Sequence, residues 1–225
     1  GAVNLCTAAH NFNIVAVTTG ASASAVTIND GVDAMTIGTV DTLNGVVTGG
    51  AQIDITSAGQ LTVAHQVDNT GANAINLSGV GVDLSTANSD VGARTAAKVT
   101  VDENTGNLNM AASSSTATSL AGASAIDLIA DSMSLAGAVT ASGVDGEVLI
   151  KPDTATTAIN FGGTGSGGGV ELSQTELNTI NADIVRLGDG TNSGAISQTA
   201  NFTAGANFAD NFFTLRTTGD TGKIS

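Results

Sequence analysis

The sequence predicts an all-β protein coiled as a parallel β-helix, or β-solenoid, in which short strands stack rung upon rung. Three observations predict it. Apolar-x-apolar triplets recur at a nearly constant interval, turn-forming dipeptides fall between them, and the apolar residues are aliphatic with almost no rings.

One set of triplets begins at Val3, Val26, Ile53, Ile75, Val99, Ile126, Val148 and Val170, with a looser match at Ile196, and successive starts lie 22 to 27 residues apart. A second set follows in phase from Met35, Leu61, Val82, Leu108, Met133, Ile159 and Val185. Apolar-polar alternation over so few positions marks a half-buried strand. A period near two dozen residues, holding two strands and no helical spacing, fits a solenoid and is too short for a propeller blade. About nine rungs of about 24 residues are expected, and at about 4.8 Å per rung they make a rod on the order of 40 Å long.

The corners have their own residues. Asp30-Gly31, Asn44-Gly45, Asp145-Gly146 and Asp189-Gly190 accept positive φ with little strain. Triplets such as Ile53-Asp54-Ile55, Ile75-Asn76-Leu77 and Ile126-Asp127-Leu128 turn two aliphatic side chains inward and one polar side chain outward. Each fully buried aliphatic contributes about 1.5–3 kcal/mol. Ser173 and Glu176 form a capping box ahead of Leu177 and Ile180, which predicts a short helix or loop insertion near 173–181.

Composition agrees with a thin, regular interior. Among 225 residues there are 29 Gly, one Pro, six Phe and neither Trp nor Tyr, while 41% are hydrophobic. A compact globule fills irregular space with large rings, and this chain has few to use. Residues 1–225 are expected to form a single solenoid domain, as a segment of a longer chain or a stacking subunit with uncapped ends. The chain begins at Gly1 without Met, and Phe212-Phe213-Thr214-Leu215 falls near its end, within a rung.

A net charge of −14, with Arg94 the first basic residue, argues against nucleic acid and anionic lipid as partners. No apolar stretch reaches the roughly 18 residues that span a bilayer, so no membrane insertion is expected. Cys6 is the only cysteine, which rules out an intrachain disulfide. With no neighbouring cation or nearby His, Cys6 reads as a small packed residue.

Other candidate sites weigh little. Gly163-Thr164-Gly165-Ser166-Gly167-Gly168 has the G-x-G-x-x-G spacing of a dinucleotide cradle, but Val170-Glu171-Leu172 reads as strand where that motif needs a helix. A corner is the better reading. His10 and His65 stand on different rungs without metal-ligand spacing, and surface or corner positions are expected for both. Asp30, Asp33, Asp189 and Asn192 could offer oxygens to an opportunistic calcium ion in a corner. The outward residues of the first triplets read Asn4, Thr27, Asp54, Asn76, Thr100, Asp127, Leu149 and Glu171. Their acids are whole rungs apart, which disfavours a polysaccharide-cleaving pair, and their mixture disfavours the threonine ladders of an ice-binding face. No catalytic residue, metal ligand or cofactor is assigned.

Residues 120–200 carry a family resemblance. In order they contain Ile126-Asp127-Leu128-Ile129-Ala130-Asp131-Ser132-Met133-Ser134-Leu135, Glu147-Val148-Leu149-Ile150-Lys151-Pro152 and Ala158-Ile159-Asn160-Phe161-Gly162-Gly163. Val170-Glu171-Leu172, Glu176-Leu177-Asn178-Thr179-Ile180, Ile184-Val185-Arg186-Leu187-Gly188 and Ser193-Gly194-Ala195-Ile196 follow. This ordered set resembles the filamentous-haemagglutinin-like, β-strand-repeat bacterial exoproteins. The resemblance implies a right-handed coil and a shaft at the cell surface or secreted. Since Pro152 is the only Pro, the Asn-Pro-x-Gly motifs of that family's secretion domain are missing, and the likeness is to shaft.

The expected function is therefore a non-catalytic structural or adhesive protein, extracellular or on a bacterial cell surface, with a host-surface or glycan receptor left open. The alternative is a self-assembling subunit of an extracellular filament or surface layer, associating with copies of itself end to end or side by side. A polysaccharide-degrading β-helix enzyme is the further alternative.

Overall fold

The computed structural model describes residues 1–20, 24–71, 73–86, 88–93, 98–112, 119–122, 125–141, 145–163, 168–203, 212–218 and 224–225. They form an all-β parallel solenoid. Its first face is a nine-stranded sheet of Val3–His10, Val26–Asp30, Ile53–Ser57, Ile75–Gly79, Lys98–Glu103, Ala125–Ile129, Glu147–Lys151, Ile184–Leu187 and Phe212–Leu215. Every neighbouring pair is parallel.

Registration follows from which side chains must be inside. Val26 faces Ile53, Ile53 faces Ile75, Ile75 faces Val99, Val99 faces Ile126, and Ile126 faces Val148. All six are fully buried. Because a strand's side chains alternate with period two, a one-residue slip would turn each such column out to water. The second face stacks Met35, Leu61, Val82, Leu108 and Met133 in the same way, as the second set of triplets predicts. That set's last two members lie elsewhere, Ile159 in a three-stranded sheet and Val185 on the first face.

A third face exists that the triplets do not reveal. Its seven strands are Val17–Thr18, Val46–Thr48, Val67–Asn69, Asp90–Ala93, Ser119–Gly122, Ala138–Ala141 and Ile180–Asn181. Val46, Val67, Val91, Val139 and Ile180 are buried there. The apolar-x-apolar test misses this face because its third positions are polar, as at Thr48 and Asn69, or small, as at Ala93, Ala141 and Ala182. Thr48 and Asn69 point inward, where Thr48 Oγ1 donates to Ala51 O at 2.9 Å and Asn69 Nδ2 donates to Asn73 O at 2.8 Å. Each turns a corner by satisfying its carbonyls.

The rung count needs correction. The coil makes about seven turns where spacing predicts about nine, since the second and third faces stack six and seven strands against the nine of the first. Val185, not Val170, stands beside Val148 on the first face, and Phe213 follows Val185. Val170–Ser173, Ile159–Gly162 and Ile196–Gln198 form a separate three-stranded sheet, in that spatial order, and Val170–Ser173 packs beside the second-face strand Met133–Leu135. The chain thus lays down Ile159–Gly162 first and returns to place Val170–Ser173 on its lower side. An aliphatic triplet looks the same on any face, so spacing alone cannot tell them apart.

The helix is where the capping box places it, Gln174–Leu177, with both reciprocal bonds between Ser173 and Glu176 present. Glu176 does more than cap. Its Oε2 accepts from Ser173 N at 2.8 Å, and its Oε1 accepts from Leu135 N at 3.0 Å on the rung below. Of the predicted corners, Gly45 and Asp145 do adopt positive φ, at 71° and 58°. Gly188 also has φ 74°, and a Cβ there would overlap the Arg216 carbonyl of the next rung.

Late rungs are wider, and rings fill them. Phe161, Phe202 and Phe213 pack together with centroids 5.2 to 6.0 Å apart. Near the other end, Thr39–Val40 and Leu43–Asn44 make the antiparallel hairpin among the described residues.

Chemical denaturation checks this packing. Ile126→Ala should cost about 2–5 kcal/mol as an interior cavity, whereas Thr100→Ala on the outer side should stay within about 0.5 kcal/mol. Gly188→Ala should cost about 1–3 kcal/mol through backbone strain. Equal costs at Ile126 and Thr100 would contradict the assigned inward and outward sides.

Candidate functional site

The outer sides of the sheets are the surfaces offered to a partner. On the first face the outward column runs Asn4, Thr27, Asp54, Asn76, Thr100, Asp127, Leu149, Arg186 and Thr214. By register this matches the expected list through Leu149, which is buried although it stands in the outward column. Arg186 then replaces Glu171, which lies on the three-stranded sheet beside Asn160.

Outer carboxylates are bound across rungs rather than gathered. Asp54 accepts from Asn76 Nδ2 at 2.7 Å and from Gln52 Nε2 at 2.9 Å. Lys98 pairs with Asp127, Arg186 Nη2 lies 3.0 Å from Glu147 Oε2, and Asn160 Nδ2 donates to Glu171 Oε1 at 2.7 Å. Asp54 and Asp127 stand three rungs apart, about 14 Å, against about 5–10 Å for a glycosidase pair.

A shallow groove of about 430 Å³ runs across the second face beside Gln60, Val80, Asp83, Asn109 and Ser134. Asp83 is its carboxylate. Its Oδ1 accepts from Ser85 N at 3.0 Å and from Asn109 Nδ2 at 3.3 Å, so it serves the turn and the ladder.

The singled-out residues are dispersed. Cys6 is exposed rather than packed, because it shares the outward side of its strand with Asn4, to whose Oδ1 its thiol donates at 2.8 Å. His10 stacks on Phe12 with centroids 5.0 Å apart. His65 Nε2 lies 2.9 Å from Thr39 Oγ1, whose proton goes to Asn44 Oδ1, so the imidazole pins the hairpin. Both histidines are partly exposed, in keeping with surface or corner positions. Residues 164–167 of the glycine motif lie outside the described residues, and a strand follows at Val170–Ser173.

Asp30, Asp33, Asp189 and Asn192 serve corners on distant rungs. Asp30 is buried and accepts from Val32 N and Phe12 N at 3.3 and 3.4 Å, while Asp33 accepts from Asn11 Nδ2 at 3.1 Å. Asp189 accepts from Thr191 N at 2.7 Å, from Thr191 Oγ1 at 2.6 Å and from Lys151 Nζ at 3.0 Å. Among the described residues no three His, Cys, Asp or Glu side chains are placed to hold a metal ion. No helix among them is long and apolar enough to cross a membrane.

Sequence reasoning missed the polar residues turned inward at the ends of first-face strands. Asp30, Ser57 and Glu103 are all buried there. The signal was a fifth strand residue in phase with the two aliphatics, as in Ile53-Asp54-Ile55-Thr56-Ser57.

Comparison with protein-family models, with curated proteins and with solved structures finds no match. Fold and surface define the class, a parallel β-solenoid with polar ladders outside and an aliphatic interior.

Asp189 supplies a pH test. Burial pushes its carboxyl up, but hydrogen bonds from Thr191 and Lys151 outweigh this and bring it from 3.8 to about 2. A lowered folded value gives stability that is complete above the unfolded value and is lost as pH falls. Stability from this corner should therefore disappear between about pH 4 and pH 2. Asp189→Asn should remove that part of the acid transition in a thermal scan, and an unchanged transition would contradict the assignment.

Proposed function

We propose that this chain is a non-catalytic shaft of a bacterial surface or secreted exoprotein of the filamentous-haemagglutinin-like kind, a stiff spacer with a repetitive outer surface. The observation that carries this reading is the nine-stranded first face, parallel and aliphatic inside along its length. Bending such a rod means parting hydrogen-bonded rungs, and repeat stacks of this kind extend without changing cross-section.

The surface supports the same reading. Its outer acids are spread along the axis, each held by an amide or cation where a bond is seen, as at Asp54, Asp127 and Glu147. Carboxylates so placed keep the rod soluble and repel nucleic acid and anionic lipid. Antibodies raised against the purified protein should label intact source cells or their culture medium. Recovery only from the cytosol would overturn the proposal. Incubated with acidic and neutral polysaccharides, the protein should release no new reducing or unsaturated ends, and their release would favour the enzyme reading.

A second reading, the subunit of a filament, rests on the sheet edges. Among the described residues Val3–His10 and Phe212–Leu215 are the outermost strands of the first face, and the edge of a sheet can template a further strand. Sedimentation with negative-stain imaging separates the two: a shaft stays a single rod as concentration rises, and a filament subunit elongates.

A further inference from the structure

The strand Lys98–Glu103 ends in a side chain that the interior of a solenoid should not contain. Glu103 points inward at the first corner and is fully buried. It faces Gly79 on the rung below, and the next positions above, Ala130 and Pro152, are buried and uncharged. Oε1 accepts from Asp131 N at 2.9 Å. Oε2 is buried and makes no hydrogen bond of ordinary geometry, although the Gly106 amide lies close enough to the carboxylate to favour its ionised form. The buried Asp30, by contrast, accepts from backbone amides at both oxygens.

The charged groups around it are mostly of the wrong sign. Asp102 is next to it on its own strand, and Asp102 Oδ1 is also buried without a partner. Asp131 comes from the turn after Ala125–Ile129, and Asp153 from the turn after Glu147–Lys151. Lys151 is the near cation, and it is already bonded to Asp189. Lys98, at the far end of the same strand, pairs with Asp127. The rung below, Ile75–Gly79, brings no charge, and Asp30 lies further down the same corner.

We propose that this corner is a proton-operated lock between rungs: with Glu103 protonated the two rungs close tightly, and with Glu103 ionised they loosen at this point. A neutral carboxyl can be buried here at modest cost, whereas an ionised one is stranded beside Asp131 and Asp153, with Asp102 on the opposite side of the strand. Burial, the largest cause, together with Asp131 and Asp153 raises the Glu103 carboxyl from 4.5 to about 7, against the backbone amides of Asp131 and Gly106. Asp102 is raised as well, by burial and then Asp153, with Lys151 opposing.

A raised folded value gives stability that is full below the unfolded value and is lost as pH rises through the folded one. The window therefore runs from about pH 4.5 to about pH 7. The melting temperature of the whole chain should drop by roughly 5 °C from pH 5 to pH 7.5 and level off above. Glu103→Gln, neutral at every pH, should flatten most of that slope and should match or exceed the unaltered protein at pH 8. Equal slopes in both proteins would overturn the proposal. Carbon-13 titration of the unaltered protein tests it without substitution: a Glu103 carboxyl midpoint near pH 7 supports the lock, and one below pH 5 defeats it. The Asn104 amide, which donates to Gly79 O on the rung below at 2.9 Å, should lose exchange protection above pH 7, and constant protection would count against local loosening.

Discussion

Everything in this fold depends on each rung lying in register on the one beneath. The hydrogen bonds between rungs run along the axis, so each strand is both template and product. A single choice of register then fixes which side chains are inside for the whole stack. Val26, Ile53, Ile75, Val99, Ile126 and Val148 form a continuous buried column because each pairing repeats the last. Small, straight-sided aliphatics serve this better than rings, which have to interdigitate. Rings enter where repetition fails, at Phe161, Phe202 and Phe213 beside the inserted strands.

Legibility in the sequence follows the same line. The first and second faces could be read because both inward positions of their strands are apolar. The third face could not, since Thr48 and Asn69 take inward positions in order to bond their corners, and the later third positions hold small residues, as at Ala93, Ala141 and Ala182. Spacing places Val170 and Ile196 on the first face, and the structure differs for a related reason. Their spacing fits, but a chain that lays down Ile159–Gly162 before the strand beneath it breaks the link between sequence order and height. The helix at Gln174–Leu177 was legible because a capping box is local chemistry. Whether Cys6 lay inside or outside turned on the parity of a strand whose register shifts between Leu5 and His10.

The candidate surface was legible in outline. The outward column from Asn4 to Leu149 comes directly from the triplets, whereas its ion pairs and amide ladders needed the register. Glu103 was the least legible. In sequence it lies in an ordinary polar run, Asp102-Glu103-Asn104, and only the inward turn at the last strand position makes it a buried acid. A shaft and a lock of this kind are compatible, since a rod that is uniform in its aliphatic column can still have one rung whose cohesion depends on a proton.

The most direct measurement is a set of spin-label distances from Asn4 to Asn76, Asp127 and Thr214, each pair introduced as cysteines with Cys6 replaced by Ser. These positions lie three, five and eight strands away on one outward column of the first face. The backbone separations should grow linearly, to about 14, 24 and 38 Å, at about 4.8 Å per rung. Distances that cluster together, or that fail to rise in that order, would contradict a climbing coil and everything built on it.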